Sequence, residues 1–590
     1  MGDETFRMVG IAGGHAEAKA RLAIACAAVI SDQLLSTPTV ADLPRTMRDV
    51  QASKERRQWE QAIKAELDSW TKMQVFTVVD RLPPGERLHD AKGVFKIKLD
   101  AQGQPTKHKF RIVVRGFTQV FGVDYFSSYA PTMDADSFRT LCALATALNL
   151  SMGCADVETA YLHADLDRPI YIEAPEFFQG FKKGTILRLR KAVYGLKQSA
   201  RLWNAHLTAK LVSIGFHPLS NSDPCIFVYH HKQRAIIIGV FVDDMVYLYD
   251  DRDAALMDRL KKALGALITL KDLGPARTVL GISIERDREQ GKLALCQPSY
   301  AAEVAKQYGF TRSSRAVHTP ESASMDYSAI TDATLSAHSK PQGGEAITIE
   351  NLPRVIGQLS YLAVCTRPDI ARAVNRAAQD QAEPNAGTIV RVRQILNYLA
   401  HHAVIPLTYT ANPQALCLHA YSDASYAADS DRKSVTGVVA KLSGGAISWT
   451  SKRQPTVAHS GSEAEYIAAG EAERELRALR NLLSALALPQ TSPSPLFVDN
   501  TVAIAMAQGE GSHKRRRHID IKHHIIREQV LNGTIKVEWV PTAEQQADIL
   551  CRCPAQTSRD FASSSWAASS APAPRKRSRG AEGGACYAGC

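Results

Sequence analysis

One stretch of the sequence, Ala235–Tyr249, restricts the fold more than any other. Two apolar runs rich in β-branched residues flank Asp243 and Asp244, with no Gly or Pro between the runs. Such runs predict buried strands, so we expect the pair at the turn of a buried hairpin. Two adjacent carboxylates repel each other and are costly to desolvate unless a divalent cation neutralises both. Carboxylate oxygens suit Mg²⁺, and an exposed turn rich in Asp is the alternative.

A third aspartate and a basic turn accompany the hairpin. The segment Ser151–His163 predicts a strand that runs into a helix, with Asp156 at the junction. The segment Lys191–Trp203 is a basic turn with an aromatic residue and a glycine, suited to a phosphate backbone or a base pair. One Asp from a strand and two from a hairpin can hold two metal ions about 3.5–4 Å apart, as in-line displacement at phosphorus requires.

The composition narrows the class of protein. Among 590 residues, 71 Lys and Arg against 60 Asp and Glu give a net charge of +11, which favours an anionic partner such as nucleic acid. Eleven scattered cysteines without a CxxC pair favour a reducing compartment. The longest apolar run, Leu22–Ile30, is too short to span a bilayer and predicts a buried helix. These features exclude a secreted, membrane or collagen-like protein.

A second α/β region begins near Leu416. Three short strands separated by turns, Leu416–Tyr421, Gly437–Leu442 and Ala446–Thr450, predict a meander. A long helix at Ser462–Leu486 follows, and then strands and helices alternate as far as a predicted helix at Ala543–Leu550. This order spans about 140 residues, a typical domain size. The Ser/Thr/Pro/Gly-rich stretch 313–344 before it predicts a poorly ordered connection.

Several motifs together resemble the reverse transcriptases of copia-type LTR retrotransposons. Three of them resemble motifs A, B and C of that family: Asp156–Leu162, Tyr194–Ser199 and Phe241–Met245. The upstream run Lys109–Gln119 resembles a strand of the family's fingers, and the resemblance covers roughly residues 55–315. Phe241 stands where the family usually has Tyr, which removes a hydroxyl but no carboxylate.

The resemblance implies roles for individual residues. Asp156, Asp243 and Asp244 would bind two Mg²⁺ ions, with Mn²⁺ as the alternative. Tyr161 would lie under the sugar and exclude a 2′-hydroxyl by a clash. Further roles follow for the basic and polar positions: triphosphate binding for Lys109 and Arg111, a place beside the template–dNTP pair for Gln198, and nucleic-acid contact for Lys197 and Arg201. A core aromatic, for Tyr161, and a solvated strand face, for the two cations, are the alternatives.

The second region carries four acids in the order expected of a ribonuclease H. They lie at predicted strand ends and on the adjoining helices: Asp423, Glu465, Asp499 and Asp548. Two Mg²⁺ ions held there would activate a water for cleavage of an RNA strand. Glu463 is a neighbouring acid, and we choose Glu465 because it directly precedes Tyr466 and the helix core.

A basic, histidine-rich segment, Lys514–His524, also resembles the copia-type family. We expect four of its side chains to contact the phosphates of an RNA–DNA hybrid: Lys514, Arg515, Arg516 and Arg517. A zinc site at His518, His523 and His524 is the alternative, and it lacks cysteine or carboxylate partners at ligand spacing.

The resemblance implies an α+β or α/β multidomain chain, a right-hand polymerase followed by an RNase H-like mixed-sheet domain. We expect residues 1–50 to be of uncertain order, 51–312 to form fingers, palm and thumb, 313–414 a connection, 415–556 the RNase H-like domain, and 557–590 a disordered basic tail. The implied partners are an RNA template, a DNA primer, their hybrid and dNTPs, with no membrane. The implied location is intracellular, in a cytoplasmic particle, the nucleus or both. An inactive relic or a domesticated nucleic-acid-binding protein is the rival interpretation, and the sequence does not determine the oligomeric state.

Overall fold

The computed structural model describes residues 43–99, 105–178, 180–335, 341, 343–412, 416–427, 432–509 and 525–553. These residues divide into two compact units, each of which is interrupted along the chain. The first, here called the hairpin unit, contains residues 43–133 and 151–280. The second, here called the five-strand unit, contains residues 134–150 and the described residues from 281 onward. The chain is thus a mixed α/β protein, as predicted, whereas its division into fingers, palm and thumb stays a prediction.

The hairpin unit combines sheets and helices throughout. Its helices are Met47–Ala52, Arg56–Lys72, Ala160–His163, Ser199–Ser213 and Ala254–Gly265. Its strands are Phe76–Val79, Leu88–His89, Ala91–Leu99, Pro105–Val114, Ser151–Val157, Asp165–Glu173, Ile186–Lys191, His217–Leu219, Asp223–His231, Arg234–Phe241, Asp244–Tyr249, Leu270–Pro275 and Thr278–Val279.

A six-stranded sheet at the centre of this unit contains the predicted hairpin. Strands Arg234–Phe241 and Asp244–Tyr249 pair antiparallel, with Phe241 opposite Asp244. The two residues between them form a tight turn, in which Val242 has a φ of 57°. Positive φ is uncommon for a β-branched residue, so the surrounding sheet holds this turn in a conformation that the side chain does not favour. The predicted hairpin is confirmed, with Asp243 in its turn and Asp244 as the first residue of its second strand.

One helix packs against the two-stranded ribbon formed by strands Ala91–Leu99 and Pro105–Val114. Along helix Arg56–Lys72, Trp59, Ile63 and Trp70 are buried at spacings of four and seven residues, which place them on one face. They pack in one hydrophobic cluster with the ribbon's inward-facing side chains. Burial of these side chains therefore fixes the helix on the ribbon.

The five-strand unit contains more helix. Its helices are Ala135–Ala147, Pro298–Gln307, Asp332–Leu335, Leu352–Cys365, Ala371–Gln379, Ala386–His401, Gly461–Ala485, Thr501–Ala507, Ile525–Leu531 and Asp548–Cys551. Its strands are Ile282–Asp287, Lys292–Cys296, Leu407–Thr410, His419–Ser425, Val435–Leu442, Gly445–Arg453, Ser494–Val498 and Ile535–Trp539.

The last five of these strands form one sheet. From one edge to the other their order is Gly445–Arg453, Val435–Leu442, His419–Ser425, Ser494–Val498 and Ile535–Trp539. The first three pair antiparallel and the last two add on in parallel. The predicted meander is confirmed. Helix Gly461–Ala485 packs across the sheet, and its N-terminus is capped by the Ser460 side chain, which accepts a hydrogen bond from the backbone N–H of Glu463.

Helix Ala135–Ala147 belongs to the five-strand unit, although the strands that flank it in sequence belong to the hairpin unit. Its Arg139 is 2% exposed and donates to three backbone carbonyls, those of Val364, Cys365 and Ile447. A guanidinium can be buried only when its N–H groups find such acceptors. The helix is thus anchored to a sheet strand that lies 308 residues later in the chain.

One predicted helix is wrong, because the chain forms two short pieces in its place. The helix predicted at Ala543–Leu550 is instead a 3₁₀ turn, Thr542–Glu544, and a four-residue helix, Asp548–Cys551. The reason is Gln545, which is fully buried: its amide donates to the Ser422 carbonyl and accepts from the backbone N–H of Ala547. These bonds compete with a continuous helix.

Part of the stretch 313–344 has defined contacts. Within it, Glu321 is 6% exposed and pairs with Arg372 and Arg391. Other predictions lie outside the described residues: the N-terminal helix at Leu22–Ile30, the basic tail 557–590, and the segment Lys514–His524 with its four cations and three histidines. Within the described part of the chain, no helix combines the length and the apolar character needed to cross a membrane.

Candidate active sites

The hairpin unit brings its three predicted metal-binding acids onto neighbouring strands. Asp244 lies opposite Asp156 in the antiparallel pair of strands Asp244–Tyr249 and Ser151–Val157. The carbonyl of Asp243 accepts a hydrogen bond from the backbone N–H of Val157, at 2.9 Å, so the turn is fastened to the strand that carries Asp156. The indole of Trp203 holds the other turn residue by donating to the Val242 carbonyl, at 2.7 Å.

The electrostatics of this group fit a cation site. Burial raises the pKa of Asp243, and the charge of Asp156 raises it further. Lys109 and Arg111 oppose that shift with their positive charges, which sets both cations within electrostatic reach of the turn. A divalent cation would remove the repulsion between the carboxylates, as the acid pattern predicts.

Arg111 has partners that the sequence reasoning missed. Its guanidinium donates to the Glu66 carboxylate, at 2.8 Å, and lies over the ring of Tyr194, 5.3 Å from its centre. Glu66 is 2% exposed and also accepts from the indole of Trp70. The signal was present, because Glu66 is an acid within the apolar stripe of its helix. The predicted contact of Arg111 with a triphosphate stays a prediction.

Tyr161 lies beside a second tyrosine. Its ring meets that of Tyr194 edge-on, with 4.9 Å between the centres. Burial raises the pKa of both phenols, that of Tyr194 to about 12, so both are neutral at ordinary pH. The charge of Asp243 adds to both shifts, which sets the pair within electrostatic reach of the acids.

Gln198 is fully buried and its side chain holds a loop in place. Its amide donates to the Asp124 carbonyl and accepts from the Gln119 amide, so it fastens loop 116–124 to the start of helix Ser199–Ser213. Its predicted place beside a base pair stays a prediction. Lys197 is exposed, and Arg201 is partly exposed and pairs with Asp167.

The five-strand unit brings three of its predicted acids together. The carboxylate oxygens of Asp423, Glu465 and Asp499 lie within 4.8 Å of one another. Asp423 comes from the central strand of the sheet, Glu465 from helix Gly461–Ala485, and Asp499 directly follows strand Ser494–Val498. Asp548 reaches Asp423 in a second group, whose third member is Cys551.

Cys551 and Arg552 are neighbours of these acids that the sequence reasoning missed. The Cys551 thiol donates to Asp423 Oδ2, at 2.8 Å. Arg552 Nη2 lies 3.1 Å from Asp423 Oδ1 and 3.8 Å from the Glu465 carboxylate. Both residues follow Asp548 within one helical turn, so that proximity was the available signal.

The pKa values of these acids shift in different directions. Burial raises the pKa of Glu465, and the negative charge of Asp423 raises it further. Burial likewise raises the pKa of Asp548. Burial also acts to raise the pKa of Asp423, but hydrogen bonds from Asp548, Glu465 and the Cys551 thiol hold it below its usual value.

The donor set of this cluster fits Mg²⁺, an ion that prefers carboxylate oxygens. Glu465 is only 5% exposed, and its Oε2 has no hydrogen-bond partner among the described residues. Glu463, the rejected neighbour, instead accepts from the backbone N–H of His459 at the start of the helix. Glu465, rather than Glu463, therefore belongs to the acid cluster.

Comparisons with known proteins show the family of the chain. A family described as reverse transcriptase (RNA-dependent DNA polymerase) matches residues 73–323. The chain is 31% identical over 324 residues to the transposon Ty5-1 protein of Saccharomyces cerevisiae, and it covers 100% of that protein and 54% of itself. The chain belongs to the reverse transcriptases of copia-type transposon Pol polyproteins.

Longer relatives match more of the chain. It is 35% identical over 512 residues to the Pol polyprotein of transposon TNT 1-94 from Nicotiana tabacum, which is 86% of this chain and 38% of that one. It is 31% identical over 514 residues to the Pol polyprotein of transposon RE2 from Arabidopsis thaliana, covering 86% of this chain and 34% of that one. The chain thus spans little more than a third of the length of these polyproteins.

A solved RNase H domain is also similar. The N-terminal RNase H domain of a Mycobacterium tuberculosis protein, solved as a fusion with maltose-binding protein, aligns with a TM-score of 0.18 and 17% identity, over 25% of this chain and 98% of that one. The RNase H-like domain that the strand order and the acids of this chain predict stays a prediction.

Proposed function

We propose that this chain is an active RNA-directed DNA polymerase with a fused hybrid ribonuclease, which copies retrotransposon RNA into DNA. The observation that carries the proposal is the register that sets Asp244 opposite Asp156, with Asp243 at the adjoining turn. Asp156, Asp243 and Asp244 would hold Mg²⁺. When bound there, Mg²⁺ would lower the pKa of a primer 3′-hydroxyl and neutralise the charge that develops on the phosphates.

The chain's own residues would prepare the polymerase site. The β-turn at Val242 and Asp243 would keep the acids in place without rearrangement, since its backbone is bonded on both sides. Lys109 and Arg111 would attract the triphosphate, with Arg111 oriented by Glu66. This preorganisation lowers the cost of assembling three like charges at one point.

The five-strand unit would cut the RNA strand of the hybrid. Asp423, Glu465, Asp499 and Asp548 would hold Mg²⁺, which would supply an activated water and stabilise the leaving oxygen. The proposed partners are an RNA template, a DNA primer, their hybrid and dNTPs, and the proposed location is a cytoplasmic particle, the nucleus or both. The rival is an inactive relic that still binds nucleic acid, favoured by Arg552, whose guanidinium already neutralises Asp423.

Primer extension on poly(rA)·oligo(dT) with Mg²⁺ tests the proposal. We expect the wild type to extend the primer and the Asp243→Asn/Asp244→Asn double variant to fail, because two of the three polymerase acids are neutral. Hybrid cleavage by the same double variant is the control for folding. Absence of extension by the wild type, with hybrid binding retained in a gel shift, would favour the relic.

Tyr161→Ala is expected to admit ribonucleotides. If the ring excludes a 2′-hydroxyl by a clash, its removal should raise the rNTP/dNTP ratio of kcat/KM by about 10²-fold, the size of a lost steric barrier of about 3 kcal/mol. Tyr161→Phe is the matched control, because it keeps the ring and its edge-on contact with Tyr194. An unchanged ratio in the alanine variant would remove the gate role.

A further inference from the structure

The side chain of Arg552 lies among the acids of the five-strand unit. Its guanidinium is 3.1 Å from Asp423 Oδ1, 3.4 Å from Asp548 Oδ1 and 3.8 Å from Glu465 Oε1. One cation of the chain thus approaches three of the four predicted metal ligands of this unit. A guanidinium in this place affects any metal ion that the acids bind, because both are attracted to the same oxygens.

Both carboxylate oxygens of Asp423 have donors from the chain. Oδ1 accepts a hydrogen bond from Arg552, and Oδ2 accepts one from the Cys551 thiol, at 2.8 Å. The Asp423 side chain has no exposed surface, and a buried carboxylate without such partners is costly. Mg²⁺ binds carboxylate oxygens at about 2.0–2.1 Å, so an ion on Asp423 would come within a few ångströms of the guanidinium, where two positive charges repel each other.

The two donors to Asp423 differ in their freedom to move. Cys551 is fully buried, and its thiol also lies 3.5 Å from the carbonyl of Asp548 and 3.7 Å from that of Ala547. The Arg552 side chain is instead 43% exposed, so its N–H groups regain water when they leave the carboxylate. Arg552 is therefore the donor that can give way to a metal ion.

The guanidinium leaves part of the cluster unsatisfied. The Oε2 atom of Glu465 has no hydrogen-bond partner among the residues that the structure describes, and Oε1 is too far from Arg552 for a hydrogen bond. The carboxylate oxygens of Asp423, Glu465 and Asp499 lie within 4.8 Å of one another, a span close to twice the Mg²⁺–oxygen distance of about 2.1 Å. A compact divalent ion thus satisfies more of these oxygens than the guanidinium does.

We propose that Arg552 is an internal counterion of Asp423 that leaves when a divalent metal ion binds, and that it thereby sets the metal concentration at which RNA cleavage begins. The proposal rests on the hybrid ribonuclease function and adds a residue that competes with the metal ion. Without metal, the guanidinium neutralises the buried carboxylate. With metal, it turns to solvent, so the metal affinity is lower than the acids alone would give.

Binding of Mn²⁺ to the full chain tests the competition. The Asp243→Asn/Asp244→Asn background removes two acids of the hairpin unit, and the electron paramagnetic resonance signal of free Mn²⁺ measures binding without turnover. We expect Arg552→Gln to lower the dissociation constant about fivefold, the size of one partly exposed ion pair. Arg552→Lys, which keeps the charge, should change it less than about twofold. Loss of the site in Asp423→Asn identifies it.

Arg474→Gln is the matched control for net charge. Arg474 is 45% exposed, almost as much as Arg552, and pairs with Glu471 on helix Gly461–Ala485 at 2.9 Å. It follows Glu465 by nine residues, which is about 13 Å along a helix and beyond the Debye length of about 8 Å at physiological salt. It should leave Mn²⁺ affinity unchanged. An equal effect in the two glutamine variants would assign the result to overall charge and overturn the proposal.

Hydrogen–deuterium exchange distinguishes displacement from a permanent ion pair. In EDTA, Arg552→Gln leaves the buried Asp423 without its cation, so peptides from strand His419–Ser425 should exchange at least about fivefold faster than in the wild type. In saturating Mn²⁺ the two proteins should exchange alike, which also verifies that the variant folds. A difference that persists in Mn²⁺ would show that Arg552 stays on Asp423, and no difference in EDTA would show that it is not needed there; either result would overturn the proposal.

The metal dependence of cleavage supplies the functional result. Arg552→Gln in the otherwise unchanged chain should lower the Mg²⁺ concentration for half-maximal RNA cleavage about fivefold and leave that for DNA synthesis unchanged. An unchanged Mg²⁺ requirement for cleavage, or a Mn²⁺ affinity that Arg552→Gln does not alter, would overturn the proposal. A wild type that does not cut RNA would contradict the hybrid ribonuclease function alone, because the Mn²⁺ affinities would still establish the counterion.

Discussion

Asp423→Asn is expected to abolish cleavage of the RNA strand while DNA synthesis continues. Asp423 has no exposed surface and belongs to both sets of possible metal ligands in the five-strand unit. Its two oxygens face different neighbours, Arg552 and the Cys551 thiol. Replacing one oxygen by an amide removes the charge and a metal-binding atom at the centre of the cluster.

We expect cleavage to fall by at least about 10³-fold, equivalent to about 4 kcal/mol of activation free energy. A labelled RNA–DNA hybrid reports cleavage, and primer extension by the same preparation reports synthesis. Glu463→Gln is the control, because Glu463 is a nearby acid whose carboxylate bonds to the backbone of His459. It should keep cleavage within a few-fold. Loss of both activities in Asp423→Asn would contradict two independent sites.

Arg139→Met is expected to destabilise the five-strand unit more than any surface substitution. The change leaves the carbonyls of Val364, Cys365 and Ile447 without their donor and Asp136 without its cation. It also removes the stack over Trp449, whose ring centre lies 3.9 Å from the guanidinium carbon. Breaking a buried charge pair typically costs about 3–5 kcal/mol, and we expect a loss of that size.

Hydrogen–deuterium exchange of peptides from strand Gly445–Arg453 measures this effect, because its amides exchange through opening of the unit. Arg354→Met is the control. Arg354 is 45% exposed and pairs with Glu345, so its removal should cost about 0–1 kcal/mol. Equal protection in the two variants would show that helix Ala135–Ala147 is not required by the sheet. A loss of protection confined to Arg139→Met would show that the sheet depends on this helix.

The elements that the sequence predicted well are those with local signals. The hairpin at Asp243 follows from two short apolar runs around an acidic pair, and the meander follows from three runs separated by turn residues. The helix at Gly461–Ala485 has both periodicity and a serine cap. Prediction failed at Gln545, because a side-chain bond to Ser422, 123 residues away, interrupts the expected helix.

Contacts between residues far apart in the chain could not be predicted in this way, because an acid within an apolar stripe marks Glu66 as unusual but does not identify its partner. Glu66 and Arg111 lie 45 positions apart, and neither the helix nor the strand pattern alone joins them. Arg139 likewise meets its acceptor on Ile447, 308 positions later in the chain, only after folding. Spacing along the chain carries information about neighbours within an element, whereas contacts between elements depend on packing.

The sequence by itself determined the family, the two sets of acids and the order of strands and helices, because motif spacing and alternation of apolar residues are properties of short segments. The tertiary structure alone decided that helix Ala135–Ala147 joins the five-strand unit and that Arg552 and Cys551 contact Asp423. The physical reason is that a buried charge or polar group is stable only where partners from distant segments meet it.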